Sequence, residues 1–178
     1  MMWLDHYQPF VGVRLNMVVN SSGNFVDSEG SSRGISNELD RKLIVHLRKI
    51  SDIYATGGNT YRNEGYRVPK SGALAVITRN ETEPNIIGLT PPSAEPAASW
   101  SLYKLKSLGF RRVLLEVGPS LAKEFLTANL VDEFCLTITG GNSRQGEKVV
   151  RDLGSSLNLA SEINIEGTCF TIWRRGNK

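Results

Sequence analysis

The stretch that most narrows the possible folds runs from Arg111 to Leu121, RRVLLEVGPSL. Its apolar run shows no period-two alternation, so it reads as a strand buried on both faces, the kind found inside a parallel sheet. Gly118 ends the run, and Pro119 suits the first helical position, where a missing N–H costs nothing. Beyond it Leu121, Phe125 and Leu126 recur on one side of a helix. A strand, a glycine turn and a helix in direct succession demand an α/β architecture.

The rest of the chain repeats that grammar. Residues 10–19 are rich in β-branched side chains and read as a strand, followed by a Ser-, Gly- and Asn-rich loop over 20–34, long enough to act as a lid. A helix is predicted over 37–50: Ser36 or Asn37 caps it, Glu38 and Asp40 suit its positive end, and Leu39, Leu43, Leu47 and Ile50 share a face. A short strand over 52–56, a polar stretch and a strand over 73–78 come next. The proline-rich segment 81–95 reads as irregular, with a short strand at Ile86 and Ile87, and a helix follows over 97–108, stopped by Gly109. Strands over 132–139, 157–165 and 168–174 complete the sheet as antiparallel members, with no helix expected among them.

At 178 residues one domain spanning 1–178 is the economical expectation. A formal net charge of +3 is too small an excess to point to nucleic acid, but suits a phosphorylated ligand. Cys135 and Cys169 lie in apolar strands and read as small buried hydrophobes rather than a disulfide or metal pair. Two histidines without a CxxC or HxE pattern offer no zinc site, and His46, at the edge of a helix's apolar face, reads as structural. The N-terminal segment has no leader-like pattern and no stretch is apolar enough to span a bilayer, so no membrane partner and a cytoplasmic location are expected.

Ligands of open α/β sheets bind at the carboxyl ends of strands, where helix N-termini present N–H groups to anions. Two strand ends qualify. In the first, TGGNTYR from Thr56, glycines admit a phosphate, Thr60 offers a hydroxyl and Arg62 a guanidinium; a plain tight turn is the competing reading. In the second, EVGPS from Glu116, a helix start is joined to a carboxylate, which alternatively caps or salt-bridges a neighbouring loop. Neither G-x-G-x-x-G after the first strand nor a P-loop motif is present.

Four blocks, in order and at matching spacing, resemble the reductase domain of riboflavin-biosynthesis deaminase-reductases and its single-domain relatives. NMVVNSSG from Asn16 resembles N-x-x-x-S-L-D-G; Ile35 to Asp52 resembles I-S-x…L-R-x-x-S-D; GGNTYRNE from Gly57 resembles G-x-x-T-x-R-x-[DE]; and EVGPSL from Glu116 with LVDE from Leu130 resembles E-[GA]-G-P-[ST]-L…L-V-D-E. Ser22, Asn24, Gly34 and Val117 depart from the family pattern. The resemblance implies a dihydrofolate-reductase-like fold, a mixed, mainly parallel sheet flanked by helices. It also implies NADPH as hydride donor, a ribosylaminopyrimidine phosphate as acceptor, and a homodimer. Cofactor contacts fall on Gly57, Gly58, Thr60, Arg62, Glu64, Gly118, Pro119, Ser120 and Leu121, and substrate contacts on Ser32, Arg48 and Glu116. The nicotinamide is placed beside the first strand, where Asn16 and Glu116 are the catalytic candidates. Hydride transfer is then mostly positioning and demands no strong proton donor. The alternatives are a same-fold reductase of a pterin or another carbonyl or imine, and a non-catalytic ligand-binding relative.

Overall fold

A computed structural model describes residues 2–67 and 72–176. Among these, eight strands form one sheet: β1 (Gly12–Asn20), β2 (Ile53–Gly57), β3 (Ala73–Ile77), β4 (Ile87–Leu89), β5 (Arg112–Leu115), β6 (Glu133–Thr139), β7 (Asn158–Ile165) and β8 (Thr168–Arg174). Their spatial order is β4-β3-β2-β5-β1-β6-β8-β7. The six strands from β4 to β6 run parallel, and β8 and β7 add antiparallel, as the sequence leads one to expect.

The helices are α1 (Glu38–Lys49), α2 (Gly58–Glu64), α3 (Ala97–Ser107), α4 (Pro119–Thr127) and α5 (Ser143–Asp152). One face of the sheet packs on α1: Leu43 and Leu47 meet Tyr54, Leu74, Leu114 and Phe170, with Leu4 and Tyr7 of the N-terminal 3-10 turn closing the same core. The opposite face packs on α3, α4 and α5 through Leu102, Leu105, Phe125, Leu126, Val149 and Val150. β5 shows why its sequence is unbroken: Val113 and Leu115 point to the second core and Leu114 to the first, all at most 2% exposed. Burying each such side chain contributes about 1.5–3 kcal/mol.

Two readings need correction. The C-terminal part does contain a helix, α5, started by a capping box in which Asn142 and Gln145 satisfy each other's backbone. Only Gly146, Val149 and Val150 of α5 are buried, so its apolar stripe is too thin to show as a periodicity. Gly146 reads as a breaker, yet it lets the helix approach: a Cβ there would lie 3.3 Å from Ile138 Cδ1 and 3.6 Å from Trp173. Likewise the polar stretch after β2 begins with α2, which buries no residue and so leaves no hydrophobic signal. Cys135 and Cys169 are free and buried, and the His46 ring donates to the Tyr7 carbonyl at 3.0 Å.

Candidate active site

Because β2 and β5 pair in parallel, with Ala55 opposite Leu115, their carboxyl ends lie side by side. Gly57 starts α2 and Gly118 starts α4, and neither helix has a side-chain cap. By contrast, Asn37 and Asn142 cap α1 and α5. The first turn of α3 is also served, since Ala98 N–H donates to Glu124 Oε1 at 2.8 Å. The two uncapped turns touch: a Cβ on Gly57 would lie 3.6 Å from Leu121 Cδ2, and one on Gly118 3.3 Å from Thr60 Oγ1. Between them opens a cleft of about 740 Å³ lined by Gly57, Gly58, Thr60, Arg62, Glu64, Gly118, Pro119, Ser120 and Leu121. All nine residues expected on the cofactor side therefore share one cavity, at one end of the sheet.

Within this cleft the side chains differ in freedom. Arg62 donates to Asn59 Oδ1 at 2.5 Å, holding its guanidinium over the start of α2. Glu64 is committed elsewhere: its Oε1 accepts Ser32 N–H at 2.8 Å and its carboxylate accepts the Ser31 hydroxyl at 3.2 Å, while Arg33 donates to the Glu64 carbonyl. It clasps the β1–α1 loop to α2. That loop is shaped by Asp27, whose Oδ1 accepts the N–H groups of Glu29 and Ser31 at 2.9 and 3.0 Å. The Ser31 N–H chiefly holds the Asp27 carboxyl below its ordinary pKa. Gly34, one of the departures from the family pattern, has a physical reason: a Cβ there would sit 1.9 Å from Asp27 Oδ2.

A narrow throat of about 120 Å³ continues from the cleft past Asn16, Ser32, Thr60, Glu64, Tyr66, Glu116 and Gly118. Asn16, on β1, is 6% exposed and its Oδ1 has no hydrogen-bond partner. Glu116 is gripped on both oxygens: Arg48 Nε donates to Oε1 at 2.7 Å, Arg48 Nη2 to Oε2 at 2.5 Å, and Tyr66 Oη to Oε2 at 2.6 Å. Burial works against the Arg48 charge, but hydrogen bonds and charge from Glu116 outweigh it and raise its pKa. Burial, reinforced by Glu116, likewise pushes the Tyr66 hydroxyl well up. Glu116 thus does form a salt bridge, but with Arg48 on α1 rather than with a neighbouring loop, and it stands in the wall of the throat.

Beyond the throat lies a second cleft of about 930 Å³. Its charged lining is Arg33, Arg41, Arg48, Lys49 and Arg67 against Asp40 and Glu64, so it attracts anions. Of the three residues expected on the substrate side, Ser32 and Arg48 line it, whereas Glu116 lines the throat. Sequence reasoning missed Tyr66, Tyr54 and the cations other than Arg48. Arg48 stacks on both tyrosines, its Cζ 4.5 Å from the Tyr54 ring and 5.2 Å from that of Tyr66. A signal for the cations did exist, since Arg41, Arg48 and Lys49 at i, i+7 and i+8 fall on one helical face.

No curated protein matches the chain. Among solved structures, a pyrimidine reductase-like protein from Corynebacterium diphtheriae superposes with a TM-score of 0.72 at 15% identity, covering 94% of this chain and 93% of that one. A Thermotoga maritima diaminohydroxyphosphoribosylaminopyrimidine deaminase/5-amino-6-(5-phosphoribosylamino)uracil reductase gives 0.69 at 15% identity over 97% of this chain and 58% of that one. A riboflavin biosynthesis reductase from Saccharomyces cerevisiae gives 0.64 at 13% identity, over 97% of both chains. These likenesses establish the dihydrofolate-reductase-like fold. The family model described as the RibD C-terminal domain matches residues 13–141, and the chain accordingly belongs to that family.

Proposed function

We propose that this protein is an NADPH-dependent reductase of a phosphorylated ribosylaminopyrimidine, with hydride passing to the ribosyl carbon. The observation that carries this reading is the continuity of the cavity: an uncapped, glycine-lined cradle leads through a throat holding Asn16 and Glu116 into a cleft ringed by cations. The cradle fits a dinucleotide. Free N–H groups at the starts of α2 and α4 suit a pyrophosphate, Arg62 stands beside them, and the unpartnered Asn16 Oδ1 suits a carboxamide N–H₂. Bound there, the nicotinamide supplies the hydride. The protein's share is orientation. Glu116, held rigid by Arg48 and Tyr66, presents carboxylate edges to sugar hydroxyls, and the loop clasped by Glu64 excludes water from the throat. Cations of the second cleft take the substrate's phosphate.

Titration calorimetry with NADPH, followed by oxidation of NADPH with the ribosylaminopyrimidine phosphate, tests this. Micromolar binding and turnover are expected; a folded protein that binds no NADPH refutes the proposal. Turnover of a pterin instead moves the assignment to a same-fold reductase of another substrate.

A further inference from the structure

The second cleft runs along α1, whose Asp40, Arg41, Ile44, Val45, Arg48 and Lys49 line it. The throat opens into it through Val18, Ser32, Ile44, Glu64 and Tyr66, the residues that line both cavities. Ile44 is thus where α1 meets the mouth. From the rise of a helix, Arg41 lies about 4.5 Å to one side of it along the axis and Lys49 about 7.5 Å to the other. The cleft therefore has two arms, one on each side of the mouth. The ribosyl carbon of the proposed acceptor likewise stands between two groups, the aminopyrimidine and the phosphate-bearing chain, so each arm receives one of them.

The arms differ in charge. Towards the N-terminal end of α1 each cation has a carboxylate near it: Arg33 pairs with Glu64 at 3.6 Å, and Arg41 stands next to Asp40 and one helical turn from Glu38. Towards the C-terminal end Arg48 is taken up by both oxygens of Glu116. Lys49 and Arg67, however, form no salt bridge among the described residues, and no acidic residue lines that arm. Arg67 belongs to this end because the residue before it, Tyr66, lies against the Arg48 guanidinium. We propose that Lys49 and Arg67 are the specificity-determining residues that hold the acceptor's phosphate. The inference rests on the reading of the second cleft as the substrate site. A phosphate dianion in this arm meets two unpaired charges, whereas in the other arm it faces Asp40 and Glu64. The dipole of α1 accounts for a basic residue at 49 but not for Arg67, which lies beyond α2 in no helix. Lys49 fills a variable position of the I-S-x…L-R-x-x-S-D block and Arg67 lies outside all four blocks, so this grip is the chain's own.

Titration calorimetry with ribose 5-phosphate tests this on wild type, Lys49→Gln, Arg67→Gln and the double variant. Both side chains are exposed, so neither change disturbs the core. Each single change should weaken binding about five- to tenfold, and the two together about thirtyfold or more. Lys42→Gln removes a charge from α1 outside the cleft and should stay within about twofold of wild type, while Arg41→Gln should lose less than either cleft variant. Four results overturn the inference: a wild type that binds no ribose 5-phosphate, single variants that bind it as wild type does, a loss in Lys42→Gln equal to theirs, or a larger loss in Arg41→Gln. NADPH titrated into the same samples reads the reductase proposal separately. Phosphate held by Lys49 and Arg67 without NADPH binding removes that proposal and leaves this one; NADPH binding without ribose 5-phosphate binding does the reverse.

Discussion

Replacing Glu116 by Gln isolates the interaction at the centre of the throat. The change keeps size and shape but removes the charge that faces Arg48 and Tyr66. Breaking a fully buried ion pair from one side costs about 3–5 kcal/mol. Here the Glu116 side chain is 6% exposed but that of Arg48 is 34%, so water relieves part of the stranded guanidinium and the cost falls to about 2–3 kcal/mol. Weakening the Tyr66 hydrogen bond adds about 1 kcal/mol. For a chain of this length each kcal/mol moves Tm by about 2–4 °C, so a total of about 3–4 kcal/mol should appear in differential scanning calorimetry as a fall of about 6–16 °C. Removing both charges as Arg48→Met with Glu116→Gln should be less damaging than Glu116→Gln alone, because no unpaired charge remains. A fall of less than about 2 °C for Glu116→Gln, or a double variant that simply adds the single losses, refutes the claim that this pair is a desolvated unit.

Other expectations follow from the same geometry. In Gly58→Val the new side chain meets Thr78, whose Oγ1 lies 2.7 Å from the Cβ position, so the start of α2 must shift: NADPH affinity by calorimetry should drop about tenfold or more, and Tm should fall by about 2–12 °C. Glu64→Ala releases the loop carrying Ser31 and Ser32, and steady-state kinetics should show a lower kcat with nearly unchanged NADPH affinity. Asn142→Ala removes the capping box of α5 and should cost about 1 kcal/mol in urea unfolding. The pH dependence of stability has a defined sign at Asp40. Its pKa is raised on folding, so its contribution is present below the unfolded value of 3.8 and is lost as pH rises through the folded value. Asp40→Asn should therefore gain stability relative to wild type at neutral pH and lose that advantage near pH 3, by urea melts at both.

The parts of the fold legible in the sequence are those whose residues announce their surroundings locally. β5 and α4 were readable because burial on both faces leaves an unbroken apolar run, because Pro119 suits the first helical turn, and because Gly118, in ordinary extended backbone, leaves the room that a Cβ 3.3 Å from Thr60 Oγ1 would take. α1 was readable because Leu43 and Leu47 recur at helical spacing behind an Asn37 cap. α2 and α5 were not, for opposite reasons. α2 buries nothing, so no periodicity exists to detect, and its start is legible only as a cradle. α5 packs through a glycine whose value lies in Ile138 and Trp173, residues from two other elements that reach it only in the folded sheet.

The same distinction divides the site. The cradle half is a backbone device, and backbone devices leave glycine and proline at fixed offsets, so Gly57, Gly58, Gly118 and Pro119 could be named in advance. The anion half is built from side chains on a helix and on loops far apart in sequence, and cations on a helix look the same whether they face solvent or a cleft. What makes them a site is the concavity formed when the residues after α2 fold against α1, bringing Tyr66 over Arg48 and Arg67 to the rim. Glu116 shows the two halves meeting. Its position at a strand tip was readable, but its partners 68 and 50 residues away were not, and those partners turn an isolated carboxylate into a fixed wall between the two clefts. The chemistry therefore depends on a contact with no local signature, and altering Tyr66 or Arg48 should disable the throat as surely as altering Glu116 itself.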